Sequence, residues 1–171
     1  KEVIANYPGS DEARTALVDL KSIYVEKGDV NSYVEYTSTV KGAAPIAASD
    51  RDSLTYTAAE GLVSRGDKIG ALARFSDYVK QFPEGAFVAN AWYYQGSIYE
   101  EAKDFERAVD CMLHAAAFEN SRFAESALDH AASMSWQQAD YENAMDLYMR
   151  LYDKTTDAER QKRSDRDRKS G

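Results

Sequence analysis

Residues 89–115 read ANAWYYQGSIYEEAKDFERAVDCMLHA. Trp92, Gly96 and Tyr99 stand at i, i+4 and i+7, which places them on one stripe of a 3.6-residue helix. A glycine in a helix interior costs about 1 kcal/mol against alanine, so Gly96 implies a partner helix that comes close. Lys103 and Asp104 supply a turn, and Phe105 opens a second helix on which Ala108, Met112 and Ala115 face back. The small Ala108 lets the pair cross near the short end of the roughly 8–10 Å range of helix separations.

The same punctuation recurs along the chain. Repeat starts fall near Arg14, Asp52, Ala89 and Glu125, spaced 38, 37 and 36 residues apart. A constant period of this size predicts stacked helical hairpins. Repeat one turns at Gly28 and Asp29, with Leu17, Leu20 and Tyr24 on its first helix, but Tyr33 stands where the small alanine belongs. Repeat two turns at Gly66 and Asp67 and continues with Ala71, Phe75 and Pro83. Repeat four turns at Asp140 and Tyr141, with Ala144, Tyr148 and Leu151 behind, and Ser135 replaces the expected tyrosine. Lys41 to Ser49 breaks repeats one and two, and Ser49 with Asp52 approximates a capping box.

With four in-phase turns, each preceded by a helical stripe, residues 10–152 resemble the tetratricopeptide repeat (TPR) family. That resemblance implies an all-α, right-handed α-solenoid of about four TPR-like helix hairpins, over residues 14–47, 52–85, 89–122 and 125–152. Residues 1–9 then read as the end of a preceding repeat helix, in which Val3 and Ile4 leave an apolar face. On this reading the chain is a fragment or a processed product. Residues 153–171 read as a charged C-terminal helix or tail. A narrower resemblance rests on Tyr7-Pro8-Gly9-Ser10 and Phe82-Pro83-Glu84-Gly85, which precede a first helix by the same distance. Such aromatic–proline linkers are similar to those of a bacterial envelope subgroup, the outer-membrane assembly lipoproteins and Tol–Pal-associated proteins. The setting implied is the periplasm or cell envelope; without that likeness it is the cytoplasm.

Charge narrows the partners. The 171 residues carry 21 basic and 29 acidic side chains, a net −8. From Asp153 onward there are seven basic and five acidic residues, so residues 1–152 hold 14 basic and 24 acidic, or −10. Nucleic acid and anionic membrane surfaces both require a positive patch, and are excluded as partners. No run of about 18 apolar residues predicts a membrane span.

No catalytic constellation is legible. Cys111 and His114 stand at i, i+3, but zinc usually takes four ligands, and His130 lies in the next repeat. Glu100 and Glu101 are adjacent and diverge around a helix, as do Asp129 and His130. Phosphate loops and nucleophile or zinc motifs are missing from the sequence. The expectation is a protein that is not an enzyme and needs no metal or cofactor.

What the resemblance implies is a groove lined by the first helices. It assigns the groove Val18, Ser22 and Glu26 in repeat one, and Tyr56, Glu60 and Val63 in repeat two. Repeat three gives Asn90, Tyr93, Ser97, Glu100 and Glu101, and repeat four gives Ser126, Asp129, Ser133, Trp136 and Gln137. This surface is acidic and aromatic. Co-chaperone TPR domains grip a terminal carboxylate with lysine and asparagine, and no lysine occupies any of these positions. The function expected is a protein- or peptide-binding scaffold that favours basic or aromatic-rich segments. The alternative is a structural segment that positions neighbouring domains or drives self-association.

Overall fold

The computed structural model describes residues 1–170, with side chains through residue 159. Gly171 and the side chains from Arg160 onward lie outside the described residues, and with them the outer part of the expected charged tail. Every regular element among the described residues is helical. α1 (Glu2–Asn6), α2 (Asp11–Glu26), α3 (Val30–Thr39), α4 (Ala48–Ser64) and α5 (Lys68–Gln81) precede α6 (Val88–Glu101), α7 (Phe105–Ala116), α8 (Ala124–Gln137) and α9 (Tyr141–Ser170). The chain forms two compact units, residues 1–88 and 89–171.

One local device closes all four hairpins. At α2–α3 the amide of Asp29 donates to the Tyr24 carbonyl (2.8 Å) while that of Gly28 donates to Val25 (2.9 Å). The same pair of bonds recurs as Asp67 to Leu62 with Gly66 to Val63, as Asp104 to Tyr99 with Lys103 to Glu100, and as Asp140 to Ser135 with Ala139 to Trp136. This six-to-one plus five-to-two pattern needs one left-handed residue. Gly28 (φ 68°) and Gly66 (φ 78°) provide it in the first unit, Lys103 (φ 59°) and Ala139 (φ 61°) in the second. Each aspartate then caps the next helix, accepting from the amides of Ser32, Gly70, Arg107 and Asn143.

The links between hairpins repeat as well. Ser10, Ala43, Gly85 and Ser121 each donate a backbone bond to the residue three earlier, Tyr7, Val40, Phe82 and Phe118. The expected capping box does not form. α4 is preceded by Ala47 with no side-chain cap. Asp52 is buried and accepts instead from the Ala86 amide (2.8 Å) and from the Tyr78 hydroxyl, which itself accepts from the Phe87 amide (3.1 Å). Gly85 is required here, because a Cβ would lie 2.6 Å from the Tyr78 hydroxyl and 3.0 Å from the Phe82 carbonyl.

In the second unit, Ala108, Met112, Ala115, Ala127, Leu128, Ala131, Ala132, Met134 and Leu147 form one buried cluster. Gly96 meets Met112, whose side-chain atoms would stand 3.0 Å from a Cβ there, so the close approach occurs one turn beyond Ala108. The two irregular positions of the sequence are accommodated. Tyr33 is buried with its ring 6.1 Å from Tyr24. Ser135 is buried and accepts from the Asn143 amide group (2.9 Å), where repeat three places the Arg107 guanidinium 4.5 Å over the Tyr99 ring. In repeat four the second helix runs past Tyr152 without a break, making it and the charged segment one helix, α9.

Candidate functional site

Ten of the sixteen residues assigned to the groove fall into three groups. The largest lies where α6 faces α8. The Tyr93 hydroxyl shares a hydrogen bond with Ser126 Oγ (2.9 Å) and reaches His130 Nε2 at 3.5 Å, and its ring packs 4.7 Å from Phe123. On the far side of the imidazole, Nδ1 lies 2.7 Å from Glu100 Oε2. A carboxylate only accepts, so Nδ1 carries the proton and Nε2 is left as the acceptor for the phenol, whenever the imidazole is neutral. Glu100, His130, Tyr93 and Ser126 thus form one half-buried polar strip across two helices. Ser97 bonds back to the Tyr93 carbonyl (3.1 Å), stiffening the same turn, and Asn90 is half-buried one turn earlier. Glu101 and Asp129 are exposed.

The sequence offers His130 only as a distant zinc ligand or as the neighbour of Asp129, because its actual partner lies 30 residues away. The pairing follows from lateral packing of consecutive first helices, which sets Glu100 near the end of one against the middle of the next. The hydroxyl that meets the base belongs to a phenol at the outer limit of a hydrogen bond. This geometry orients Tyr93; it does not activate a nucleophile.

Tyr56 is a correction, and Trp136 lies outside the polar strip. Tyr56 is only 4% exposed, its ring stacked on Phe87 at 4.5 Å and set edge-on to Tyr78 at 5.8 Å. Its hydroxyl turns to half-buried Glu60 on the same helix (3.3 Å). It is a core residue, because the linker aromatic Phe87 folds over it. Trp136 is exposed but stands apart from the polar strip. It sits one residue from the end of α8, edge-on to Tyr141 at 4.8 Å, and lines an open cleft of about 460 Å³ with Met145, Tyr148, Met149, Tyr152 and Asp153.

The two residues at metal-ligand spacing, Cys111 and His114, serve packing. Cys111 is buried, and burial, with Asp110 nearby, pushes its thiol up to about 12. Exposed His114 stacks on Trp92 at 4.4 Å, so the two residues at metal-ligand spacing do not converge. Among the described residues there is no group of three potential metal ligands, and no helix is long and apolar enough to cross a membrane.

Paired helices closed by one recurrent turn define the class: an all-α fold of the TPR-like solenoid type. The chain is similar to the crystal structure of MamA, with TM-score 0.55 and 13% identity over 93% of this chain and 86% of that one. It is likewise similar to a putative kinesin light chain of Podosopora anserina with nearly identical TPR-like repeats, with TM-score 0.51 and 14% identity over 93% of this chain and 83% of that one. At these identities the likeness is one of fold. Comparison with protein-family models and with curated protein sequences gives no match.

Proposed function

We propose that the protein is a non-catalytic scaffold that binds a basic or aromatic-rich protein segment along the first-helix surface. The observation that carries this reading is the strip Glu100–His130–Tyr93–Ser126, flanked by the exposed carboxylates Glu101 and Asp129. It combines a rigid, oriented aromatic with acceptors for a cationic side chain, the two elements that anchor such contacts. Asn90 and Ser97 extend it on α6. In repeat two the half-buried Glu60 is the counterpart, with Tyr56 as its support beneath the surface.

The test is a titration of basic and acidic peptides against the chain and its Glu100→Lys, Glu101→Lys double variant. Basic peptides should bind and lose affinity as salt rises, since exposed charges are screened over about 10 Å at 0.1 M. The double variant should bind them at least ~10-fold more weakly while keeping its helical circular dichroism, with only the modest loss of melting temperature that breaking the Glu100–His130 bond entails. Equal affinity of both proteins for a basic peptide would sink the reading.

The finer setting is part of the same proposal: a segment of a larger bacterial envelope protein. The repeated turns at Tyr7–Ser10 and Phe82–Gly85 support it. A full-length gene lacking any secretion or lipoprotein signal would overturn it.

A further inference from the structure

Helix α9 repeats α7 at a constant offset of 36 residues, so each of its positions has a counterpart whose neighbours are known. Val109, Met112, Leu113 and Ala116 of α7 belong to, or pack on, the cluster that α8 covers. Their counterparts on α9 are Met145, Tyr148, Met149 and Tyr152. Together with Trp136 and Tyr141, these side chains are 41% to 70% exposed. In the covered repeat the positions hold small or medium apolar residues; in the uncovered one they hold two tyrosines and two methionines, types enriched in interface cores. The described residues do not fold back over this face, because α9 continues as helix to Ser170 where α7 ended and a short link led into α8.

We infer that this face pairs with the same face of a second copy, as an antiparallel two-fold α9–α9 contact. Tyr141, Met145, Tyr148 and Tyr152 are spaced four, three and four residues apart, the seam of a two-helix packing. Antiparallel pairing sets Tyr141 against Tyr152 of the partner subunit and Met145 against Tyr148 of the partner subunit, so all four seam positions match at once. Met149 and Trp136 flank the seam. A two-fold contact of one patch with itself closes at the dimer. Six large side chains of about 200 Å² each, 41% to 70% exposed, offer roughly 700 Å² per copy, close to the ~800 Å² that a standard interface takes from each partner. The rim is net acidic, with Glu142, Asp146 and Asp153 exposed on this stretch of α9 and Arg150 the single basic residue among them. Like charges meet around the contact, so salt strengthens it, opposite in sign to the salt response of the groove.

Sedimentation velocity over a ~1–100 µM range, bracketing the micromolar affinity usual for such an area, tests this. Expected is a monomer–dimer equilibrium without larger species, tighter at high salt. Met145→Glu and Tyr148→Glu should each weaken dimerisation about 30-fold or more, as for hot-spot anchors, with circular dichroism and melting temperature unchanged. Val3→Glu, on the exposed face of α1, should leave it intact. Mixed Met145→Cys and Tyr148→Cys chains should form a crossed disulfide, with buried Cys111 silent. A monomer throughout, a ladder of larger species, or a dimer indifferent to both glutamate variants would each overturn the inference.

Discussion

Tyr56 and Tyr93 hold the fifth position of successive repeats, and each packs on a phenylalanine about 30 residues further on, Phe87 or Phe123. The outcomes differ. In the first unit the ring lies flat on Phe87 (interplanar 11°) and is sealed among Tyr78 and Phe75, with its hydroxyl returned to its own helix. In the second the ring is tilted 34° from Phe123, and its hydroxyl crosses to Ser126 and His130 on the next first helix. One position serves as core in one unit and as part of a polar surface in the other. What decides between them is the set of groups within reach of the hydroxyl.

The sharpest break of this comparison is truncation. Tyr56→Ala should cost about 3–5 kcal/mol in urea unfolding, as removal of a buried aromatic does. Tyr93→Phe, which deletes only the hydroxyl, should cost ~1 kcal/mol or less and act mainly on partner affinity. Equal stability losses would erase the distinction.

The units also differ in how a link is held down. Asp52→Ala would orphan the Ala86 amide and the Tyr78 hydroxyl, with an expected loss of about 2–3 kcal/mol. The second unit has Ala89 at the equivalent position and relies on close packing. There Gly96→Leu should overpack Met112 and cost roughly 1–3 kcal/mol.

Alkaline pH should reach the second unit through Cys111. Its thiol keeps its proton to about 12 in the fold, against an ordinary value of 9.0, so the unfolded chain releases the proton first. The associated stability is complete below about pH 9 and disappears as pH rises from 9 toward 12. Cys111→Ala should flatten the unfolding free energy across that window. In the first unit Tyr78, also shifted upward by burial, should act with the same sign.

The smallest effect concerns the turns. Lys103→Gly and Ala139→Gly should each stabilise by up to ~1 kcal/mol, bringing the second unit's left-handed positions to the chemistry of Gly28 and Gly66. A loss of melting temperature in either variant would contradict the turn geometry.

The four hairpin turns were legible because they depend on bonds that span five residues or fewer, and an aspartate marks each of them, with a glycine before it in the first two. The alanines that face across the hairpins of repeats two to four, Ala71, Ala108 and Ala144, were legible for the same reason. The linker role of Asp52 was not, since its partners Tyr78 and Ala86 lie 26 and 34 residues away. Tyr56 was assigned to the groove because the family resemblance points its position there, although the near-equal spacings from Tyr56 to Phe87 (31) and from Tyr93 to Phe123 (30) were a signal of packing. Trp136 falls outside the polar strip because it precedes α9 by a few residues, and the stripe it joins belongs to the next helix. The pairing of His130 with Glu100 was invisible because the offset between adjacent first helices is a tertiary quantity, with no local trace beyond the two residue names.

The aspartate-capped turn has a kinetic meaning. Each hairpin closes on itself through contacts near in sequence, so the entropy of loop closure is small and little of the fold waits on distant pairing. Folding can therefore start at whichever hairpin forms first and spread to its neighbours, in any order and as the chain emerges during synthesis. A turn defect such as Asp104→Ala should then slow that one hairpin, while the chain reaches the native state by starting elsewhere.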